Sequence, residues 1–554
     1  MNKKLLGMGT IRLRENWLYG LLFLTYLISL FININCLPLH FEEPRRALVA
    51  LEMVISGNYF VPTINGEIYL NKLPLFIWVI ILFTYLFNSW DNWVVRLPTI
   101  LSFVLIGVII YSFAKKYLNQ KTALFASLFW LTTMDIFYRF SILAEIDVFY
   151  VLIVIIQVVS IFHFYQRGNL LLLFLISYVF MTLGVFTKGL PSLAVQGLTL
   201  VGFMVVTKDY KSFFSWPHVL GLMASGLLLF SYFYQYAQFE NPVPLMLRQL
   251  SESSGRTLVE GNFWLSIRHL FLFPFTNILT ILPWGVFLIF LVRKEIREKL
   301  MQDKLLAFSI LFIAFNILPY WFSAGTRARY LYFFIPFVMI ICSWLYVRFY
   351  SKERLSRVIN IVFILFIVVL IIASAALPFI DLLKGIPFLV YISLLFVSVF
   401  CLLLVAFIKM KPHRIPLFIF VLVIARIFFD VVVIPGRHIE FTQNGLYSNV
   451  MEDIFSKTGD NPIKIVTGVK KLQYDLPFGL RGEYEETEWP FFGLSYLYSK
   501  KHHQVLEIAD ELNPGEFYVG RVDYVRENWT EIIEIKEYHV SNWNEDYLLF
   551  QIKN

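Results

Sequence analysis

Apolar runs of about twenty residues recur along most of this chain, the length a helix needs to cross the hydrocarbon core of a bilayer. A soluble fold has no interior large enough to hide so many of them. Composition agrees: 58% of the 554 residues are hydrophobic and only 16% charged, where soluble domains carry roughly a quarter charged. With 57 Phe, 30 Tyr and 13 Trp, the chain is too hydrophobic for disorder. The formal net charge of +8 does not point to nucleic acid, because in a membrane chain the position of Lys and Arg relative to the spans carries the meaning. Cys36, Cys342 and Cys401 stand beside or inside apolar runs with no metal-ligand spacing, so neither a disulfide framework nor a zinc site is expected.

The expected fold class is a polytopic α-helical membrane protein with about thirteen spans. They lie near 17–35, 92–113, 121–137, 147–165, 170–186, 190–206, 217–235, 271–292, 305–322, 330–347, 358–377, 386–408 and 415–434. With the N-terminus inside, the short loops 114–121, 166–169, 207–213, 293–304, 348–357 and 409–414 all fall inside. Each is basic, as the positive-inside rule requires. The piece 73–87 is short and aromatic, and counting it as a span would reverse that pattern. It reads as a helix at the interface. An odd span count puts the C-terminus outside, where the composition turns polar from about Pro435. Residues 1–434 therefore read as a membrane domain and 435–554 as a small soluble α/β domain. Strands are expected at 463–469, 516–521 and 547–553, and helices at 446–457 and 505–512. That domain shows no motif: His502 and His503 are adjacent, and Asn528-Trp529-Thr530 is only a sequon.

Three outside segments carry charge: 37–90, the corner 138–147, and 236–270. The first contains HFEEPRRALVALEM (40–53), which reads as a helix opening at its acids beside Pro44. Helical spacing sets Arg45 three residues from Glu42, and Arg46 within reach of both Glu42 and Glu43. Further outside charges stand at Lys72, Glu145, Asp147, Lys188, Arg327 and Arg329. Ionisable groups at membrane depth are costly and tend to be functional. Arg and Lys on the outer face run against the positive-inside trend and call for an anionic partner, for which phosphate has the right geometry. A carboxylate beside a phosphate-binding cluster implies group transfer from a lipid-linked phosphate. The carboxylate acts as general base on an acceptor hydroxyl and the cations stabilise the departing phosphate. That scheme needs no metal or other cofactor. One base with no in-line carboxylate nucleophile gives inversion at the transferred carbon.

The first outside loop also resembles a known family. Glu42-Glu43-Pro44-Arg45, Glu52-Met53-Val54-Ile55-Ser56-Gly57-Asn58, Asn65-Gly66 and Lys72-Leu73-Pro74-Leu75 stand at the spacing seen in GT-C glycosyltransferases that use polyprenyl-phosphate sugars. Within that group they are similar to the aminoarabinose transferases that modify lipid A (ArnT-like), relatives of the protein O-mannosyltransferases. Thr187-Lys188-Gly189 and the segment 323–330 resemble family motifs as well. The resemblance implies an enzyme with Glu42 as catalytic base and Glu145 as the second acid of the site. It implies Arg45 and Lys72 as carrier-phosphate ligands; the outside charges Lys188, Arg327, Arg329 and Asp147 are expected around donor phosphate and sugar. The Arg expected from the 236–270 loop is Arg256 or Arg248. Two departures stand out: Glu42 where the family usually has Asp, and Asn58 where it has Asp. Asp147 is also near enough to Glu145 to compete for its role.

The expected partners are thus a polyprenyl (undecaprenyl) phosphate sugar donor, the bilayer, and a lipid A, glycan or protein acceptor. The expected location is a bacterial inner membrane with the C-terminal domain periplasmic. A transporter or lipid flippase is the alternative, but transporters place ionisable groups near the midplane and often show inverted repeats. These spans have nearly uncharged centres and no detectable repeat. A purely structural protein would leave the outside charges without a role.

Overall fold

In a bilayer no water is available to satisfy backbone N–H and C=O groups, so spanning segments close their hydrogen bonds within helices. The computed structural model describes residues 20, 22–255, 263–323, 325–351, 354–443, 445–459, 461–475, 481–487, 492–540 and 545–553. Among the described residues, nine helical stretches are long and apolar enough to cross a membrane, including Asn92–Tyr117, Ile146–Gln166, Leu170–Lys188, Lys304–Trp321 and Ala328–Phe349. Ser356–Phe379 and Leu389–Lys409 have mean hydropathies of 3.1 and 2.8 yet are only 22% buried against the rest of the chain. They present Ile361, Leu365, Val369 and Ile372, and Leu394, Leu395 and Leu402, to the outside, an apolar surface of the kind a bilayer covers. The chain is a multi-pass membrane protein.

Two expected spans are interrupted. The stretch 121–137 forms a helix over Gln120–Leu131 and a short one over Met134–Tyr138. At the break the hydroxyls of Thr132 and Thr133 donate to the carbonyls of Leu128 and Phe129, a local alternative to continuing the ladder. The stretch 271–292 breaks around Pro283, which has no N–H to give. The two corners meet: Met134 N donates to Leu282 O at 3.0 Å and Trp284 Nε1 to Thr132 Oγ1 at 3.1 Å. The first expected span, 17–35, lies partly outside the described residues. Leu75–Phe87 is a 13-residue helix, as its length predicted. In the membrane interior Gln157 donates to Gln196, which donates to Ser177, a polar link between three helices.

After the helix Tyr447–Thr458, the chain builds a four-stranded sheet. Ile463–Val466 pairs in parallel with Phe517–Arg521, which pairs antiparallel with Glu545–Ile552, and that strand pairs with Ile532–Val540. The expected strands and the 446–457 helix form. The expected helix at 505–512 does not. Ile465 N donates to Glu507 O at 2.9 Å and Ala509 N to Ile465 O at 2.8 Å, so the segment lies beside the first strand of the sheet instead. The helix Phe492–His502 packs on the helix Glu43–Ser56, burying Tyr496 with Leu48, Leu51 and Ile64.

Candidate active site

The first outside loop folds as its motif residues dictate. The helix Glu43–Ser56 starts after Glu42, carries Pro44 in its first turn, and ends at Gly57 with φ of 70°, a left-handed stop that glycine adopts without strain. Asn58 then accepts from the backbone N–H of Phe60 and Val61 at 3.0 and 3.1 Å. Asn65-Gly66 turns a short hairpin with both residues at positive φ, the chemistry of a tight two-residue turn. Glu52 clasps that turn, accepting from Thr63 Oγ1 at 2.8 Å, Asn65 N at 2.6 Å and Gly66 N at 3.3 Å. Burial pushes its carboxyl up to about 7. The Asn65 side chain donates to Ser495 Oγ at 2.8 Å and Leu506 O at 2.6 Å. The Glu52 and Asn65-Gly66 motif is thus a clasp between the first loop and the C-terminal region.

Helical spacing allows Glu42 to meet Arg45 or Arg46 and Glu43 to meet Arg46, and the surroundings choose among these pairs. Arg45 pairs with Glu42, as the spacing predicted. Arg46 does not pair with Glu42 or Glu43. It reaches Glu145 Oε2 at 2.9 Å and donates to Ala144 O at 3.0 Å. Glu43 is fully buried against Arg96, both oxygens receiving guanidinium bonds at 2.9 Å.

From Glu145 the ion pairs continue. Arg329 lies 3.7 Å from Glu145 and 3.9 Å from Asp147, and Lys188 Nζ donates to Asp147 Oδ1 at 2.5 Å. Lys188 also sits over the rings of Tyr330 and Tyr150 at 4.9 and 5.1 Å. Glu145 holds the N-cap position of the helix Ile146–Gln166, but its side chain makes no cap bond; it is committed to the arginines. Cations and acids thus alternate across four separated segments. Glu42, Arg45, Glu145, Asp147, Lys188 and Arg329 come together as one array.

Two cavities open onto this array. One, of about 600 Å³, is lined by Glu42, Glu145, Arg327, Arg329, Asp135, Arg139 and Tyr332, with Phe41 and Phe492. The other, of about 270 Å³, is mostly apolar and is lined by Lys188, Tyr150, Pro191, Val195, Leu198, Tyr320 and Tyr330. The Glu42 side chain is 33% exposed and so can be reached from the first cavity. Arg327 is exposed in the same cavity, and among the described residues its guanidinium makes no ion pair or hydrogen bond. Burial alone would raise the Glu42 carboxyl, but the charges of Arg45, Arg46, Arg329 and Arg327 hold it below its ordinary value. Glu145 goes the other way: burial pushes it up against the pull of Arg46 and Arg329, helped by the charge of Asp147.

Lys72 is half-buried in the loop before Leu75–Phe87 and does not line either cavity. Its neighbour Asn71 accepts from Arg248 Nε at 3.1 Å, and Gln249 donates to the carbonyls of Leu70 and Asn71. Gln249 in turn lines the apolar cavity, so the Lys72 segment borders it. Arg256 lies outside the described residues. The sequence did not single out Arg96, Arg139, Tyr332 or Phe492. Arg96 carried a signal, a lone Arg near the start of an apolar span, and so did Arg139, in the charged 138–147 corner; Tyr332 and Phe492 carried none.

This architecture is shared with solved structures of ArnT. It matches the crystal structure of ArnT from Cupriavidus metallidurans bound to undecaprenyl phosphate with a TM-score of 0.66 and 17% identity, over 96% of this chain and 98% of that one. The apo structure of the same protein matches with a TM-score of 0.63 and 16% identity, over 97% and 98%. Residues 71–234 match the family model for dolichyl-phosphate-mannose-protein mannosyltransferase. A curated relative from Erwinia tasmaniensis, undecaprenyl phosphate-alpha-4-amino-4-deoxy-L-arabinose arabinosyl transferase, is 28% identical over 202 residues. That stretch is 35% of this chain and 36% of the relative, so the match spans about a third of the relative's length. The chain resembles ArnT-like GT-C glycosyltransferases in sequence motif, in family model and in fold.

Proposed function

We propose that this protein is a membrane-embedded glycosyltransferase that moves a sugar from a polyprenyl phosphate to an acceptor hydroxyl on the periplasmic face of a bacterial inner membrane, with inversion at the transferred carbon. The observation that carries the reading is Glu42, reachable in a polar cavity and surrounded by Arg45, Arg46, Arg327 and Arg329. The apolar cavity beside Lys188 is suited to the first isoprene units of a lipid carrier. In this reading residues 435–554 form a periplasmic domain.

Glu42 and Glu145 face one cavity with their acidities driven apart, the arrangement that lets two carboxyls take different roles. Glu42 is ionised at neutral pH and serves as the base. Its arginine neighbours make it a weak one until an anion arrives. A phosphate that draws those guanidinium groups to itself loosens their hold on Glu42 and raises its basicity as the acceptor hydroxyl approaches. The phosphate leaves with the electron pair of the glycosidic bond, and the cations stabilise its growing charge. Arg45, Lys72, Lys188, Arg327 and Arg329 are the proposed phosphate and sugar contacts, with Arg256 or Arg248 from the 236–270 loop. Asp147 holds Lys188 in place, and Glu145 holds Arg46 and Arg329.

The test of the function is mass spectrometry of lipid A, glycans and secreted proteins from cells with and without the gene. One class should lose a single sugar mass when the gene is removed, and identical spectra would sink the reading. A second result is expected in vitro. Arg327→Ala and Lys72→Ala should each weaken binding of undecaprenyl phosphate about tenfold or more, the scale of a hydrogen bond to a charged group. Titration of the purified proteins measures it, and unchanged affinity in both would remove the phosphate site from this cluster.

A further inference from the structure

Among the described residues, the C-terminal region reaches the polar cavity through Phe492. Phe492, the first residue of its helix Phe492–His502, lines the polar cavity with Glu42. The Arg45 guanidinium lies 5.7 Å from the ring centre of Phe492 and 5.7 Å from that of Tyr69. Arg45 therefore lies against two aromatic rings while it pairs with Glu42. Cations over aromatic faces are attracted by the ring quadrupole, most strongly where water is scarce.

The helix that carries Phe492 is firmly docked. Tyr496 Oη donates to Trp90 O at 2.7 Å and Lys500 Nζ to the same oxygen at 3.1 Å. Ser495 receives the Asn65 side chain, and upstream Tyr447 Oη donates to Leu39 O at 2.9 Å. These contacts fix the ring against Arg45 from both sides of the first loop.

We propose that Phe492 is a positioning residue: it holds Arg45 against Glu42, so that the C-terminal region sets the alignment of the catalytic base. The proposal rests on the role given to Glu42 above, but its first test does not. Loss of the ring lets Arg45 swing into the cavity, and Glu42 loses the nearest charge favouring its ionised form. The other groups facing Glu42 stay in place: Arg46, Arg327 and Arg329, with Asp135, Arg139 and Glu145 on the cavity wall.

The experiment follows carbodiimide labelling of Glu42 in the detergent-purified full-length protein as a function of pH, read by mass spectrometry. Only the protonated carboxyl reacts, so the labelling midpoint reports its ionisation. Phe492→Leu keeps a bulky apolar side chain without the ring, Phe492→Tyr keeps the ring, and Phe492→Ala removes both. The midpoint should rise in the Leu and Ala variants, as it should in Arg45→Ala, and stay at the wild-type value in Tyr. A Leu variant indistinguishable from wild type overturns the proposal, since packing alone would then suffice. The second reading is turnover of a polyprenyl-phosphate sugar. The Leu variant should lose about fivefold to thirtyfold in kcat/KM, the range of a desolvated cation–π contact, while the Tyr variant keeps the wild-type value. If the midpoint moves but wild-type protein turns over no such donor, Phe492 positions Arg45 and the glycosyltransferase reading is what fails.

Discussion

Glu42→Gln is expected to lower sugar transfer by about 10²–10⁴-fold, the contribution of a placed general base, while folding and lipid-phosphate binding persist. Glutamine has nearly the same shape and its amide oxygen can still accept from Arg45, so the helix start and the arginine cluster stay in place. What disappears is a group able to take the acceptor proton. Initial rates and undecaprenyl phosphate titration on the same preparation separate the two effects, and wild-type turnover would remove Glu42 from the mechanism. Glu42→Asp should keep part of the rate, because the resemblance places Asp at this position in most relatives and the carboxylate withdraws by only one methylene. The pH profile gives an independent check. The surrounding arginines favour the charged form, so Glu42 stays ionised as pH falls, and the acid limb of kcat/KM should lie below the ordinary carboxylate value of 4.5. An acid limb above that value would point to another base.

The parts of this site that could be read from the sequence are those made by local geometry. Glu42 and Arg45 pair because they are three residues apart on one helix. The span lengths follow from hydropathy, and alternating inside and outside loops put Glu42, Glu145, Asp147, Lys188, Arg327 and Arg329 on one face, where the structure gathers them. Spacing could not choose among partners. Arg46 has two acids within helical reach and takes neither, because Glu145, nearly a hundred residues away, arrives at the cavity-facing side of the helix. Glu43 turns inward for the same reason and finds Arg96. The 505–512 segment is expected to be helical, yet an open strand edge at Ile465 recruits its backbone. Short polar-apolar alternation leaves helix and strand close in energy, and the neighbouring element decides. Phe492 had no sequence signal at all, since its relevance depends on a docking contact between regions more than four hundred residues apart.

Arg96→Met is expected to cost about 3–5 kcal/mol of stability, the effect of stranding a buried charge, and to disable the site although Arg96 touches neither cavity near Glu42. Its guanidinium bonds both oxygens of Glu43 at 2.9 Å and also the carbonyls of Leu37 at 3.2 Å, Pro38 at 3.1 Å and Ile34. Glu43 in turn accepts from His40 N at 3.1 Å and Ala144 N at 2.6 Å. One pair thus ties the chain before the first-loop helix to the span Asn92–Tyr117 and to the corner that carries Glu145. Burial disfavours the Glu43 charge, and Arg96 overcomes that penalty and holds the carboxyl well below its usual range. A depressed carboxyl adds stability that is present above its unfolded value and lost as pH falls through its folded one. Thermal unfolding in detergent should therefore show the full gap between wild type and Arg96→Met at neutral pH. The gap should narrow on acidification, when Glu43 in the variant can take up a proton. Glu43→Gln combined with Arg96→Met should recover part of the loss at neutral pH, because the stranded charge is gone while one of the two bonds, from His40 N or from Ala144 N, can still find the amide oxygen. If Arg96→Met unfolds like wild type, the first loop must be held by the Glu52–Asn65 clasp and its C-terminal partners instead, and Glu42 would owe its position to residues 495–506 rather than to the membrane helices.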